Sequence, residues 1–170
     1  MSIDFDELKV SLDLLIGMPC WSIIAGKGTG SIVSLGFGTK NQRDRLLKNL
    51  HLTDDERIYK PDISLMIYCS WRLSVEDKVF CSWKDALENL KEMLIGLELI
   101  REKNVINMDV CPISLDLNLY FEKNIKFEIF CDETNNMDAD DNYSLFTKEK
   151  IINAGLKSIP SIESRKTAKA

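Results

Sequence analysis

The sequence predicts an α+β fold, with two main helices carried on a largely antiparallel sheet or pair of sheets. Two stretches place apolar residues at helical spacing, several short stretches alternate apolar and polar residues, and the whole plan runs along the chain twice. Phe5, Leu8, Leu12 and Leu15 set the first helix, expected over 4–16, with Lys9, Ser11 and Asp13 on its other faces. Asp4 and Glu7 have the spacing of a capping box. Gly17 suits the left-handed position that ends a helix, and Pro19 forbids continuation.

Strands follow at Cys20-Trp21-Ser22-Ile23-Ile24 and at Ser31-Ile32-Val33-Ser34-Leu35-Gly36-Phe37. The charged stretch 39–52 reads as a short helix or an ordered loop, and 54–62 as a loop. Ile63-Ser64-Leu65-Met66-Ile67-Tyr68-Cys69 alternates as a strand should, and Trp71-Arg72-Leu73 begins its neighbour. The plan then restarts. Ser82 and Asp85 have capping-box spacing, Trp83, Leu87, Leu90 and Leu94 recur at helical spacing, and Gly96 is expected to close the helix. Strands are expected near 98–103, at 114–121, at 126–131 and at 142–145, with a loop between the first two.

Leu94-Ile95-Gly96 repeats Leu15-Ile16-Gly17, and Ile-aromatic-Cys recurs at Cys69 and Cys131. These matches fall in one order, so the chain reads as two diverged units, about 4–80 and 82–147, sharing a core within one globular domain, 1–157. Hairpin-rich halves of this size cannot each bury their own sheet. Residues 158–170, dominated by Ser, Lys, Thr and Ala, read as a mobile tail.

Composition narrows the function classes. Apolar residues make up 45% and charged residues 29%, ordinary for a globular chain. No apolar run reaches the ~18 residues of a membrane span, and the acids Asp4, Asp6 and Glu7 stand where a secretory signal carries basic residues. A cytoplasmic protein is expected. Cys20, Cys69, Cys81, Cys111 and Cys131 are odd in number, widely spaced and set among apolar residues, so they read as reduced thiols. The net charge is −5, with +3 in 151–170 and hence −8 in 1–150. Such a body repels phosphate backbones and favours basic protein partners over nucleic acid.

No catalytic constellation emerges. Gly26-Lys27-Gly28-Thr29-Gly30-Ser31 lacks the Gly-Lys-Ser/Thr end of a phosphate-binding loop and leads into a strand, so a tight hairpin explains it. Asp138-x-Asp140-x-Asn142 opens like a calcium loop and Glu149 stands at its twelfth position. Its sixth position is Tyr143, where the sharp turn demands Gly. His51 is the single histidine and sits between leucines without a nucleophile motif. Neither a cofactor nor a metal is expected. Trp83 is expected in the core. Trp71, beside Arg72 at a strand start, is the tryptophan to look for at a surface, because Trp and Arg most often anchor interfaces, while core packing is the role such a residue more often has.

The run from Leu15 through Pro19-Cys20-Trp21-Ser22 to Gly28-Thr29-Gly30-Ser31, with Trp71-Arg72-Leu73 and the second Leu-Ile-Gly, resembles a group of small bacterial proteins. That group includes immunity proteins of polymorphic and contact-dependent inhibition toxin systems. The resemblance covers 14–145 and rests on structural residues. It implies a cytosolic protein that neutralises a toxin by occluding it, and it assigns no functional residues. Trp71, Arg72, Asp132, Glu133, Asp138, Asp140 and Asp141 are the candidate partner-binding residues, with acidic loops speeding association by electrostatic steering. A homodimer is a further possibility. The alternative is a small-ligand binder or enzyme using a cleft between the two units.

Overall fold

The computed structural model describes residues 1–26, 28–134 and 141–165. Its first helix, α1 (Phe5–Asp13), starts where Asp4 accepts a hydrogen bond from the Glu7 amide, and it buries Leu8 and Leu12. The chain turns through Leu15, also buried, to Gly17 at φ +84°, whose N–H donates to Val105 O. Strands β1 (Pro19–Gly26) and β2 (Gly30–Phe37) form a hairpin whose turn has Gly26, Gly28 and Gly30 at positive φ. Lys27 lies outside the described residues.

The insertion that follows is ordered. Short strands β3 (Asn41–Gln42) and β4 (Tyr59–Lys60) pair with each other, and helix α2 (Asp54–Ile58) lies between them. Where a loop was expected over 54–62, Thr53 and Glu56 build a complete capping box that starts α2. Then come β5 (Ile63–Ile67), β6 (Ser70–Val75) and β7 (Lys78–Ser82).

The second helix is broken. Helix α3 (Asp85–Glu88) and helix α4 (Leu90–Leu97) are separated at Asn89, where φ is −135°. Of the expected capping box, one half forms: the Asp85 carboxylate accepts from the Ser82 amide. Gly96 does not close the helix. It lies inside α4, where an added Cβ would stand 2.5 Å from Cys81 Sγ, so it is a close-packing glycine and not a stop. A 3-10 turn, Glu98–Ile100, replaces the strand expected near 98–103, and the segment after it is the long strand β8 (Lys103–Val110). A bulge between Val105 and Asn107 shifts the phase of β8, so its buried residues do not alternate along the sequence.

Strands β9 (Leu117–Phe121), β10 (Ile125–Phe130) and β11 (Asp141–Phe146) follow near their expected places. Then β12 (Lys150–Gly155) and β13 (Pro160–Ser164) extend the sheet into the segment expected to be a mobile tail. That segment is held from two sides: β13 pairs with β12, and the N-terminus crosses it through Ile3 N to Pro160 O and Ile162 N to Met1 O. Residues 166–170 lie outside the described residues.

The eleven-stranded antiparallel sheet runs β13-β12-β11-β5-β2-β1-β8-β9-β10-β6-β7. Its two arms meet at the β1–β8 seam and fold over one hydrophobic core, which takes Val33, Leu65 and Leu145 from one arm and Leu73, Leu119 and Phe127 from the other. Outward from the seam, the order is β1-β2-β5-β11-β12-β13 on one side and β8-β9-β10-β6-β7 on the other. The third strand of each arm is therefore followed by a hairpin from the opposite half of the chain. Two rings span the core in matching fashion. Trp71 on β6 donates to Ser31 O at the start of β2, and Tyr143 on β11 donates to Leu115 O just before β9. Two units that exchange their last hairpins would produce this order, and their common origin is a proposal that it supports.

Candidate interaction surface

β1 and β8 pair at two positions only, Pro19 with Asn104 and Cys20 with Lys103. Beyond them β8 diverges, and the exposed edge of β1 needs other partners. Arg101 donates to Trp21 O at 2.6 Å, and the Glu56 carboxylate accepts from Ile23 N at 2.8 Å. The two side chains lie 3.6 Å apart, with Glu56 nearly inaccessible to solvent. Side chains thus complete a ladder that the backbone abandons, and they tie the 39–62 insertion onto the first arm. Pro61 of that insertion lies over Gly36, where a Cβ would approach its ring within 2.9 Å.

The outer face of the second arm has no such cover among the described residues. Alternation in β6, β10 and β9 sends Trp71, Leu73, Phe127 and Leu119 inward and Ser70, Arg72, Lys126, Glu128, Phe130 and Tyr120 outward. Register sets Arg72 opposite Glu128, Phe130 opposite Ser70 and Tyr120 opposite Lys126. Arg72 grips Glu128 through Nε–Oε2 at 2.6 Å and Nη2–Oε1 at 3.1 Å, and its guanidinium lies 5.1 Å from the Phe130 ring centre. Lys126 adds a 2.9 Å bond to Glu128 and stands over Tyr120. The Arg72 guanidinium holds the Glu128 carboxyl below its ordinary range, with Lys126 assisting against the opposing effect of burial.

Arg72 and Asp132 come together on this face. Asp132 follows β10 and accepts from both the amide and the hydroxyl of Ser70, two residues before Arg72 on the same side of β6. Glu133 lies next to it, its amide and carbonyl both bound by the Asn142 side chain. Asp141 opens β11 on the first arm. Asp138 and Asp140 lie outside the described residues. Trp71 is a correction: the β6 alternation turns it inward, and it is fully buried against Phe127 with ring centres 5.2 Å apart. Trp83, expected in the core, is the tryptophan at the surface.

The remaining motifs have structural uses. The buried Asn142 amide is spent on Glu133 O and Gly155 O. Among the described residues no cluster of His, Cys, Asp and Glu could hold a metal ion. Cys20, Cys69 and Cys81 are buried, and burial pushes the Cys81 thiol up to about 12. His51 is exposed. Lys126, Glu128, Phe130 and Tyr120 were missed because their importance comes from cross-strand register; the signal was a strand whose outward positions carry Lys, Glu and Phe in succession. No helix among the described residues is long and apolar enough to cross a membrane. Comparison of the chain with protein-family models, with curated proteins and with solved structures finds no match.

Proposed function

We propose that this chain is a protein-binding inhibitor, an immunity protein that neutralises a cognate bacterial toxin domain by covering its active site. The supporting observation is the uncovered second-arm face, where Arg72, Phe130 and Tyr120 stand beside paired charges and run on to Asp132. Arg and aromatic residues on a rigid sheet are the usual anchors of tight interfaces, because little side-chain freedom is lost on binding. The side-chain closure of the β1–β8 seam adds support, since it fills the place where a ligand cleft between the units would lie. The acidic body would speed encounter with a basic partner.

The test is titration of the purified chain against a basic toxin domain encoded beside its gene, together with co-expression in cells. Nanomolar binding, an on-rate that falls as salt rises, and protection of the cells are expected. Arg72→Ala and Phe130→Ala should each weaken binding by on the order of 2 kcal/mol. Cells that die despite a co-expressed, folded chain would refute the proposal.

A further inference from the structure

Cys69 and Cys131 stand where the chain passes between the two arms. Cys69 lies between β5 of the first arm and β6 of the second, and Cys131 directly follows β10, before the chain returns to β11. Register brings the two together. β6 and β10 pair Leu73 with Phe127, Trp71 with Ile129 and Ser70 with Phe130, so the next cross-strand pair is Cys69 with Cys131. Both continue the inward positions of their strands, after Trp71 and Ile129. Both pack on the core, Cys69 buried and Cys131 half-buried.

The hydrogen bonds identify the kind of pair. The Trp71 carbonyl accepts from Trp83 N on the β7 side, so Trp71 turns its backbone away from β10. Two residues earlier the Cys69 amide also turns away, to Asn142 O, and the Cys131 amide donates to Asp116 Oδ1. Neither amide is used across the pair, which marks a non-hydrogen-bonded pair of an antiparallel ladder. Such pairs hold their Cα atoms about 4.5 Å apart with the side chains close, inside the roughly 4.4–6.8 Å that a disulfide spans. The thiols meet: the Cys69 side chain, together with burial, holds the Cys131 thiol well above its ordinary range, and Asp116 and Asp132 act in the same direction.

We propose that Cys69 and Cys131 are a disulfide-forming pair, a reversible oxidation site that staples the two crossings between the arms. The oxidant is hydrogen peroxide, small enough to reach a half-buried thiol. Cys131 gives up its proton, its sulfur attacks one peroxide oxygen, and a sulfenic acid and water result. The Cys69 sulfur then displaces the hydroxyl as a second water. Two S–H bonds break, one S–S bond forms, and the peroxide takes up both electrons and both protons. Because Cys131 is held protonated, the reaction is slow near neutral pH and the dithiol is the resting form. The bond closes a loop of roughly 60 residues, so it restricts chiefly the unfolded chain. The staple does not rest on the toxin-binding reading.

The test treats the folded, reduced full chain with excess hydrogen peroxide, digests it without reductant and maps the peptides by mass spectrometry. A peptide joining Cys69 to Cys131 is expected. The thermal midpoint should rise by on the order of 10 °C and return to its starting value with dithiothreitol. Cys131→Ala, at the less buried position, should lose both the link and the shift while its reduced form still melts cooperatively. Cys111→Ser should keep both, although Ser114 holds the Cys111 thiol below its ordinary range. A peroxide-treated chain whose Cys69 and Cys131 are both alkylated by iodoacetamide on unfolding overturns the proposal. So does a Cys131 carried on to sulfinic acid beside a free Cys69, or one linked to a different cysteine.

Discussion

Glu56 shows how much one side chain can carry when a backbone ladder stops. It is buried, accepts from Ile23 N and from Thr53 N, and faces Arg101. Glu56→Ala would leave the Ile23 amide without its acceptor, Arg101 without its counter-charge and α2 without half its cap. Removing one partner from a buried charged network costs roughly 3 kcal/mol, far more than the pair contributes against well-packed apolar residues. Chemical denaturation should show a loss of that size, and a loss under 1 kcal/mol would mean that water takes over the role. Glu128 behaves differently because its partners are partly exposed. Its folded-state pKa is lowered, chiefly by Arg72, so the stabilisation is present above the unfolded value near ~4.3 and is lost as pH falls through the folded one. Glu128→Gln should therefore cost about 1 kcal/mol at neutral pH, and the difference from the parent should fade in acid. Thermal unfolding followed across that range checks it, and a cost independent of pH would rule out the ionic account.

Elements defined by their own local pattern were readable, and those defined by contacts were not. The α1 helix, with Leu8 and Leu12 inward and Asp4 at its cap, follows from spacing alone, as do β2, β5 and β10. Helix α2 was also written locally, in Thr53 and Glu56, but five residues carry too little periodicity to stand out. β8 was hidden by its bulge. β13 was hidden because its residues are polar and its order comes from β12 and from the N-terminus. The surface was legible only in part: Arg72 and Asp132 could be named, while Glu128 and Phe130 needed the β6–β10 register. The two Leu-Ile-Gly triplets are the instructive case, since Gly17 supplies a positive φ and Gly96 supplies room. Gly17→Ala should cost ~1 kcal/mol through backbone strain alone. Gly96→Ala should cost about 1–3 kcal/mol through its clash with Cys81, less any gain in helix propensity. Combining Gly96→Ala with Cys81→Ala should recover part of the loss, and Gly17→Ala with Cys81→Ala should show no coupling. Equal coupling in both double-mutant cycles would refute the distinction.

At the scale of the molecule, the order of strands in the sheet decides how the chain folds. β6 pairs with β10 on one side and β7 on the other, and β11 sits between β5 and β12. A fragment 1–83 would contain β5 without β11 and β6 without β10. Its Trp71 ring would keep the Ser31 acceptor but lose Phe127, on which it stacks. The complementary fragment, 84–170, would lack the strand that covers β10 and the one beside β11. Neither half can bury its apolar face, and an open sheet edge over an unfilled core does not offset the chain entropy lost on ordering. Each fragment alone should therefore lack a cooperative denaturant transition. The two mixed or co-expressed should assemble and unfold in one step, because every native strand pair lost by one is supplied by the other. Tryptophan fluorescence follows this directly, since Trp71 is buried only when β10 is present beside it. A sigmoidal transition in the isolated 1–83 fragment would show that those residues close a core of their own, and the pairing of β5 with β11 and of β6 with β10 would then be an addition to a self-sufficient half.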